Sequence, residues 1–414
     1  MADTEKTFVE FTKEMKKDYT ILVPNMLPMH FRLIIQVLRD YGYKAELLTS
    51  EGPKIAETGL RYVHNDTCYP AILVIGQFMD AIKSGKYDPD KTALILFQTG
   101  GGCRASNYIS LLRKALLKAG YPQVPVISLS LQGVEHHSGF DPDFGMLKKM
   151  FFGILYGDLL MSLVNQCKPF EVKSGEAEKL ADVWTERVAS EMESEGVDFR
   201  KCRKNCKKIL DDFAKVERVI VKKPKVGVVG EIFVKFSPLG NNNLERFLVS
   251  EGAEVVVPGL LDFIIYCVYN MLMDHDLYGR GKKSYPVIKA AYNYLIRHQK
   301  EIYDMVAEDG HFRASTPFTH TLSLVQSYIG IGCKMGEGWL LPAEMLELND
   351  SGVKNIVCTQ PFGCLPNHIC GKGMIKPLKD RNPDLNIVPL DYDAGSTSVN
   401  LENRIKLMLA NARV

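Results

Sequence analysis

The chain has 414 residues, 46% of them hydrophobic, and its 51 basic and 49 acidic side chains leave a formal charge of only +2. That length exceeds one comfortable core and suits two domains of ordinary size. The near balance of charge removes the global field that draws nucleic acid or an anionic membrane, so neither is expected as a partner.

Short β-rich apolar runs alternate with longer helical patterns, the mark of parallel sheets flanked by helices. "YTILVPN" (19–25) predicts a first strand, "MHFRLIIQVLRDYG" an amphipathic helix and "KAELLTS" a second strand. A helix begins near Cys68, the strand "ALILFQT" (93–99) follows, then a helix from about Ala105 to Ala119 and the strand "PVISLSL" (125–131). Residues 140–218 are mostly helical, with solvent-facing charge patterns. A second alternation opens at "KVGVVGE" (225–231) and runs through "NNLERFLVSEG" and "AEVVVPG". After a helical insertion it resumes with "VKNIVCT" (353–359) and "NIVPLDY" (386–392) and closes on the helix "VNLENRIKLMLANA". The expected fold class is therefore α/β: two doubly wound, parallel-sheet, Rossmann-like domains joined by a mostly helical segment. The expected bounds are 1–139, 140–222 for the helical connection or lid, and 223–414 with an insertion at about 260–350.

The opening "MADTEKTFVEFTKEMKKD" is charged and amphipathic, without the apolar core and cleavage site of a signal peptide. The longest apolar runs carry Asp158, Asp262 and Asn270 and are too short for a bilayer of roughly 30 Å. A cytoplasmic protein is expected. There, ten cysteines do not form a disulfide framework, so metal, redox chemistry or burial must account for them.

In open α/β sheets, ligands bind beyond the carboxyl ends of the strands. Cys103, in "FQTGGGCRASNY", and Cys364, in "QPFGCLPNH", both fall at such ends. Cys68 lies where Asn65, Asp66 or Thr67 could cap a helix, and a helix N-terminus lowers a thiol's pKa. Each of the three reads either as a small buried hydrophobe or as a metal ligand. Their spacing is too wide for a zinc finger and lacks the compact run of a ferredoxin, which leaves a site assembled from separate loops. Cys333, Cys358 and Cys370 could add ligands around the same cleft. Cys167 and Cys267 read as packing residues, while Cys202 and Cys206 share one helix face without a third ligand.

The glycine loops "TGGGCRASN" and "GVVGE" lack both the Walker lysine and the G-x-G-x-x-G spacing, so nucleotide binding is not expected. His30, His64 and the pair His136-His137 read as surface or loop residues. Glu231, Glu337 and Asp391 fall near strand ends and could equally be caps, and no Ser-His-Asp arrangement stands out.

The stretches "NDTCYPAILVIGQFMDAIKSG", "QTGGGCRASNYISLLRKAL", "GEIFVKFSPLGNNNLERFL", "GEGWLLPAEMLEL" and "CTQPFGCLPNHI" together resemble the 2-hydroxyacyl-CoA dehydratase superfamily. The likeness is greatest to the dehydratase-like module at the C-terminal end of large proteins that also carry an activase ATPase. The resemblance implies an oxygen-sensitive iron-sulfur cluster, of the 4Fe-4S type, held by Cys68, Cys103 and Cys364. It also implies electrons from a partner activase ATPase of actin/Hsp70-like fold with its own iron-sulfur cluster, a CoA-thioester substrate, and a homo- or heterodimer. No CoA-binding signature accompanies these motifs.

The chemistry such a protein performs is radical dehydration: one electron added to a thioester carbonyl lets the neighbouring hydroxyl leave. Asn65, Asp66, Ser106, Asn107, Asn241 and Asn242 are polar candidates for lining the cleft. A sister branch reduces small molecules at a double-cubane 8Fe-9S cluster, for which Cys333, Cys358 and Cys370 are available. A third reading is a non-catalytic electron relay within a larger activase complex.

Overall fold

The computed structural model describes residues 8–99, 101–129, 135–194 and 196–412. Its first sheet contains β1 (Thr20–Val23), β2 (Lys44–Leu47), β3 (Thr92–Phe97) and β4 (Val126–Leu129). The second contains β5 (Lys225–Gly230), β6 (Glu254–Val256), β7 (Asn355–Pro361) and β8 (Asn386–Tyr392). Every strand pairing is parallel, and the orders are β2-β1-β3-β4 and β6-β5-β7-β8. The second sheet thus repeats the topology of the first. The expected α/β architecture of two parallel, helix-flanked sheets is the one observed.

The strands have the composition that parallel pairing demands. β3 is "TALILF" with only Phe97 exposed, and all seven residues of β7 are buried, as expected for strands covered on both faces. Alternate side chains separate into two cores. Ile21, Val23, Ala93 and Ile95 join a core with the helix Pro28–Asp40 and the long helix Phe144–Cys167. Leu22, Leu94 and Leu96 face the other way, toward the helices Tyr69–Lys83 and Tyr108–Ala119. The same division continues in the second half, with Val229, Ile356 and Cys358 in the first core and Val226, Val228 and Val357 in the second. Both cores therefore run through both halves of the molecule.

The helices between the sheets, Phe144–Cys167, Glu176–Ser194 and Phe199–Ala214, cover the first core. Between β6 and β7 the chain makes Leu260–Tyr278, Tyr285–Asp309, Phe318–Val325 and Leu340–Asp350. Asp158 links these regions: its carboxylate accepts the amides of Leu260 and Leu261 at 2.7 and 2.9 Å and faces His30 Nε2 at 2.8 Å.

Some boundaries differ from the sequence reading. β6 is only three residues of "AEVVVPG", because Val257 and Pro258 have already turned toward the next helix. The helix expected from Ala105 starts at Tyr108, after a 3-10 turn at Arg104–Asn107. The end of the expected strand at 130–131 lies outside the described residues. Among the described residues, no helix is long and apolar enough to cross a membrane.

Candidate functional site

A doubly wound sheet binds ligands where its strand order reverses. Those points lie between β1 and β3 in one half and between β5 and β7 in the other. Cys103 follows β3 and Cys364 follows β7. The helix Tyr69–Lys83 feeds β3, so its start lies at the same carboxyl edge, and Cys68 holds its N-cap position. In the second half the helix Leu340–Asp350 feeds β7, which places Glu337 at the matching edge, while Glu231 directly follows β5. Equivalent places in the two halves thus supply Cys68 with Cys103 and Glu337 with Cys364.

The two edges meet. Gly102 N–H donates to Met335 Sδ at 3.2 Å, and at Gly101, with φ +75°, a Cβ would sit 2.4 Å from that sulfur. A Cβ on Gly336 would lie 3.2 Å from Pro366 and 4.0 Å from Cys103 Sγ. Cys68 feels the charges of Glu231, Cys364 and Cys103, and both Cys103 and Cys364 feel Glu337 and Glu231. Three thiols and two carboxyls therefore share one cleft between the halves.

Each sulfur also meets hydrogen-bond donors. Tyr108 donates its hydroxyl to Cys68 Sγ at 3.3 Å. Cys103 accepts from the Ala105 amide and the Thr99 hydroxyl. Asn367 Nδ2 donates to Cys364 Sγ at 3.5 Å and to Glu337 Oε2 at 2.9 Å. Donors of this kind stabilise a thiolate, and they tune a metal that the thiolate holds.

Burial is nevertheless the largest influence on all three thiols and pushes each upward, Cys364 to about 12. The lowering expected for Cys68 from a helix N-terminus does not occur, because burial and the nearby Glu231 charge outweigh it. Nor do Asn65, Asp66 or Thr67 cap that helix. A bound metal would supply the missing positive charge and displace the protons. Among the described residues, no three His, Cys, Asp or Glu side chains converge closely enough for a single metal ion. A multi-iron cluster makes a different demand, taking its thiolates at separate irons.

The remaining cysteines divide. Cys370 is buried, lies within the electrostatic reach of the exposed Cys333, and is pushed by burial to about 11. Cys358 sits on β7 in register with Val229 and Pro389, and a Cβ on Gly371 would lie 3.3 Å from its sulfur. Cys167 is a core residue. Cys267 is only partly buried and feels Glu337, so it stands near the cleft. Cys202 and Cys206 do share a helix face, with sulfurs 3.9 Å apart in the core.

Other expectations need correction. His30 and His137 are buried rather than at the surface: His30 pairs with Asp158, and His137 Nδ1 accepts the Phe11 amide at 3.1 Å. Asn241 is a structural residue, bonded to Lys235 O and the Leu244 amide, and Asn242 ends a short helix with φ +57°. Asn65 and Asp66 are exposed, and Asp66 O accepts Arg104 at 2.7 Å. Ser106 Oγ donates to Cys103 O at 2.8 Å, and Asn107 precedes the helix Tyr108–Ala119.

The sequence reading missed Thr99, Tyr108 and Asn367 as donors to sulfur. Their only signal was position, each within a few residues of a strand-end cysteine. Glu231 and Glu337 were visible as the glutamates of "GEIF" and "GEGW". No protein-family model matches this chain, and no curated protein matches it.

Proposed function

We propose that the chain is an iron-sulfur protein of the 2-hydroxyacyl-CoA dehydratase type, taking low-potential electrons from a partner activase ATPase. The observation that carries this reading is the convergence of Cys68, Cys103 and Cys364, from both halves, on one cleft where each sulfur faces a hydrogen-bond donor. The donor set fits an iron-sulfur cluster, because thiolates are its usual ligands and three leave one iron without a cysteine. When bound, the cluster supplies one-electron reduction and a Lewis-acidic iron.

The chain's own residues do the rest. Tyr108, Thr99, Ala105 and Asn367 hold the sulfurs by hydrogen bonds. Gly102 and Met335 bridge the two halves beside the thiols. Phe97, Met335, Phe362, Leu365 and Ile369 are exposed apolar side chains on the segments bearing the thiols, a surface suited to an electron-delivering partner.

The proximity of Cys370 to Cys333, with Cys358 behind Gly371, favours a second reading in which these thiols help to hold a larger double-cubane cluster. Iron and acid-labile sulfide per chain, measured on protein purified without oxygen, test both readings. About four irons support the first and about eight the second; none after reconstitution overturns both.

A further inference from the structure

Two carboxyl side chains from different elements share the cleft with the thiols. Glu231 Oε2 accepts the Val234 amide at 2.8 Å, which caps the short helix Ile232–Phe236. Glu337 Oε1 accepts the Ile232 amide at 3.0 Å, and its Oε2 accepts Asn367 Nδ2 at 2.9 Å. Both oxygens of Glu337 are therefore tied down, one of them to the backbone next to Glu231. The loop that bears Glu337 is itself anchored: Trp339 is fully buried and donates to Asn270 Oδ1 at 3.2 Å, and Tyr266 donates to Lys334 O at 2.8 Å.

Neither carboxyl has a Lys, Arg or His partner among the ion pairs of the described residues. Glu344, one helix away, shows the contrast, since it is paired with Lys235 at 2.8 Å. Glu254 is likewise paired with Arg313 at 2.7 Å, whereas the two carboxyls in the cleft, like the buried Asp262 that meets Gln299, have no cation among the described residues. A buried carboxyl without a countercharge favours its neutral, proton-bearing form, and two side by side resist joint ionisation. Glu231 is accordingly raised to about 8, by burial first and then by Glu337, and Glu337 is raised mainly by burial. A group with that value can give or take a proton near neutral pH, as a general acid or base must.

Position separates the roles. Glu231 is partly open, and all three thiols and Tyr108 feel its charge. Beside Glu337 the buried Asn367 leaves its Oδ1 without a partner among the described residues, an acceptor available to a bound ligand or water. We infer that Glu231 is the proton donor and acceptor for a ligand held in the three-cysteine cleft, with Glu337 as the positioning residue that fixes Glu231 through the Ile232 backbone. The inference rests on the ligand-binding reading of the cleft given above. The step moves a proton and no electrons: the O–H bond of Glu231 breaks, its electron pair stays on the carboxylate, and an oxygen of the ligand gains the proton. Solvent restores it.

Infrared spectroscopy of the metal-free chain at neutral pH tests this without a substrate. The expected result is a deuterium-sensitive carboxylic acid C=O band that Glu231→Gln removes, that Glu231→Asp shifts, and whose pH midpoint falls in Glu337→Gln. Glu337→Asp should restore the midpoint in part. Iron bound by Glu231→Gln should equal that of the unmodified chain. Persistence of every such band in Glu231→Gln, or its absence from the unmodified chain, overturns the inference. So does loss of iron from Glu231→Gln, which would make Glu231 a ligand. If the unmodified chain binds no iron at all, the cluster reading fails, and the infrared band still decides the carboxyl pair.

Discussion

Tyr108 donates its phenolic O–H to Cys68 Sγ at 3.3 Å, and both residues are buried. Tyr108 begins the helix after β3, whereas Cys68 caps the helix before it, so the bond joins the two helices at the carboxyl edge of the first sheet. A donor to sulfur favours the more negative, reduced state of whatever that sulfur holds. Tyr108→Phe keeps the ring and removes only the donor. If the proposed cluster is held here, a hydrogen bond of about 1 kcal/mol at 59 mV per tenfold means that its reduction potential should fall by about 40 mV. Redox titration followed by EPR checks this, and an unchanged potential means that the bond does not act on the bound group.

If the proposed cluster is held here, Cys103→Ala and Cys364→Ala should each lose most of the iron and keep the far-ultraviolet circular dichroism of the unmodified chain, because each sits in a loop at the sheet edge. Cys167→Ala removes a core sulfur whose charged neighbours are Arg218 and Glu171 rather than the cleft glutamates, and should keep the iron, at a stability loss of about 1 kcal/mol. Iron assays on the three variants compare the roles directly.

Asn367 joins the two kinds of group in the cleft, donating to both Glu337 and Cys364. Asn367→Leu leaves both without that donor in a buried place, which costs about 1 to 3 kcal/mol. Urea unfolding of the metal-free variant measures the loss, and iron content should fall with it.

The buried ion pair of Lys235 with Glu344 has side chains almost wholly inaccessible. Removing one partner strands the other charge, so Lys235→Met should destabilise the chain by about 3 to 5 kcal/mol. Glu344→Gln in the same background should recover part of that loss, read as a denaturant midpoint.

Stability of the metal-free chain should decline as pH rises from about 5 to 9. Glu231 is raised from 4.5 to about 8, and Glu337, Glu344, Glu347 and Asp262 are raised as well, each mainly by burial. Between the unfolded and folded values, the folded state holds the proton and the unfolded state does not. The stabilisation is therefore complete below the unfolded value and is lost as pH climbs through the folded one, at up to about 1.4 kcal/mol per pH unit per group. Glu231→Gln should flatten the profile between pH 6 and 8, as pH-dependent urea midpoints would register.

The parallel α/β class was legible because it depends on local pattern. Runs such as "ALILF" and "NIVCT" are apolar on both faces, and the helices between them are amphipathic, so a single chain of residues carries the signal. The strand-end positions of Cys103 and Cys364 followed from the same pattern, since the edge of a sheet is set by where a strand stops.

What tertiary structure alone decided was which edges face each other. The contact of Gly102 with Met335 spans more than half the chain, and no local pattern encodes it. That closure brings Cys68 and Cys103 within reach of Cys364, makes the glutamates of "GEIF" and "GEGW" neighbours, and leaves them largely shielded from water without a cation. It also reversed the expectation for Cys68: a helix N-terminus acts over one turn, whereas desolvation and a nearby carboxylate depend on the whole surroundings of the sulfur. Residue types and strand ends belong to the sequence, but the charge environment of a thiol is set by everything that folds around it.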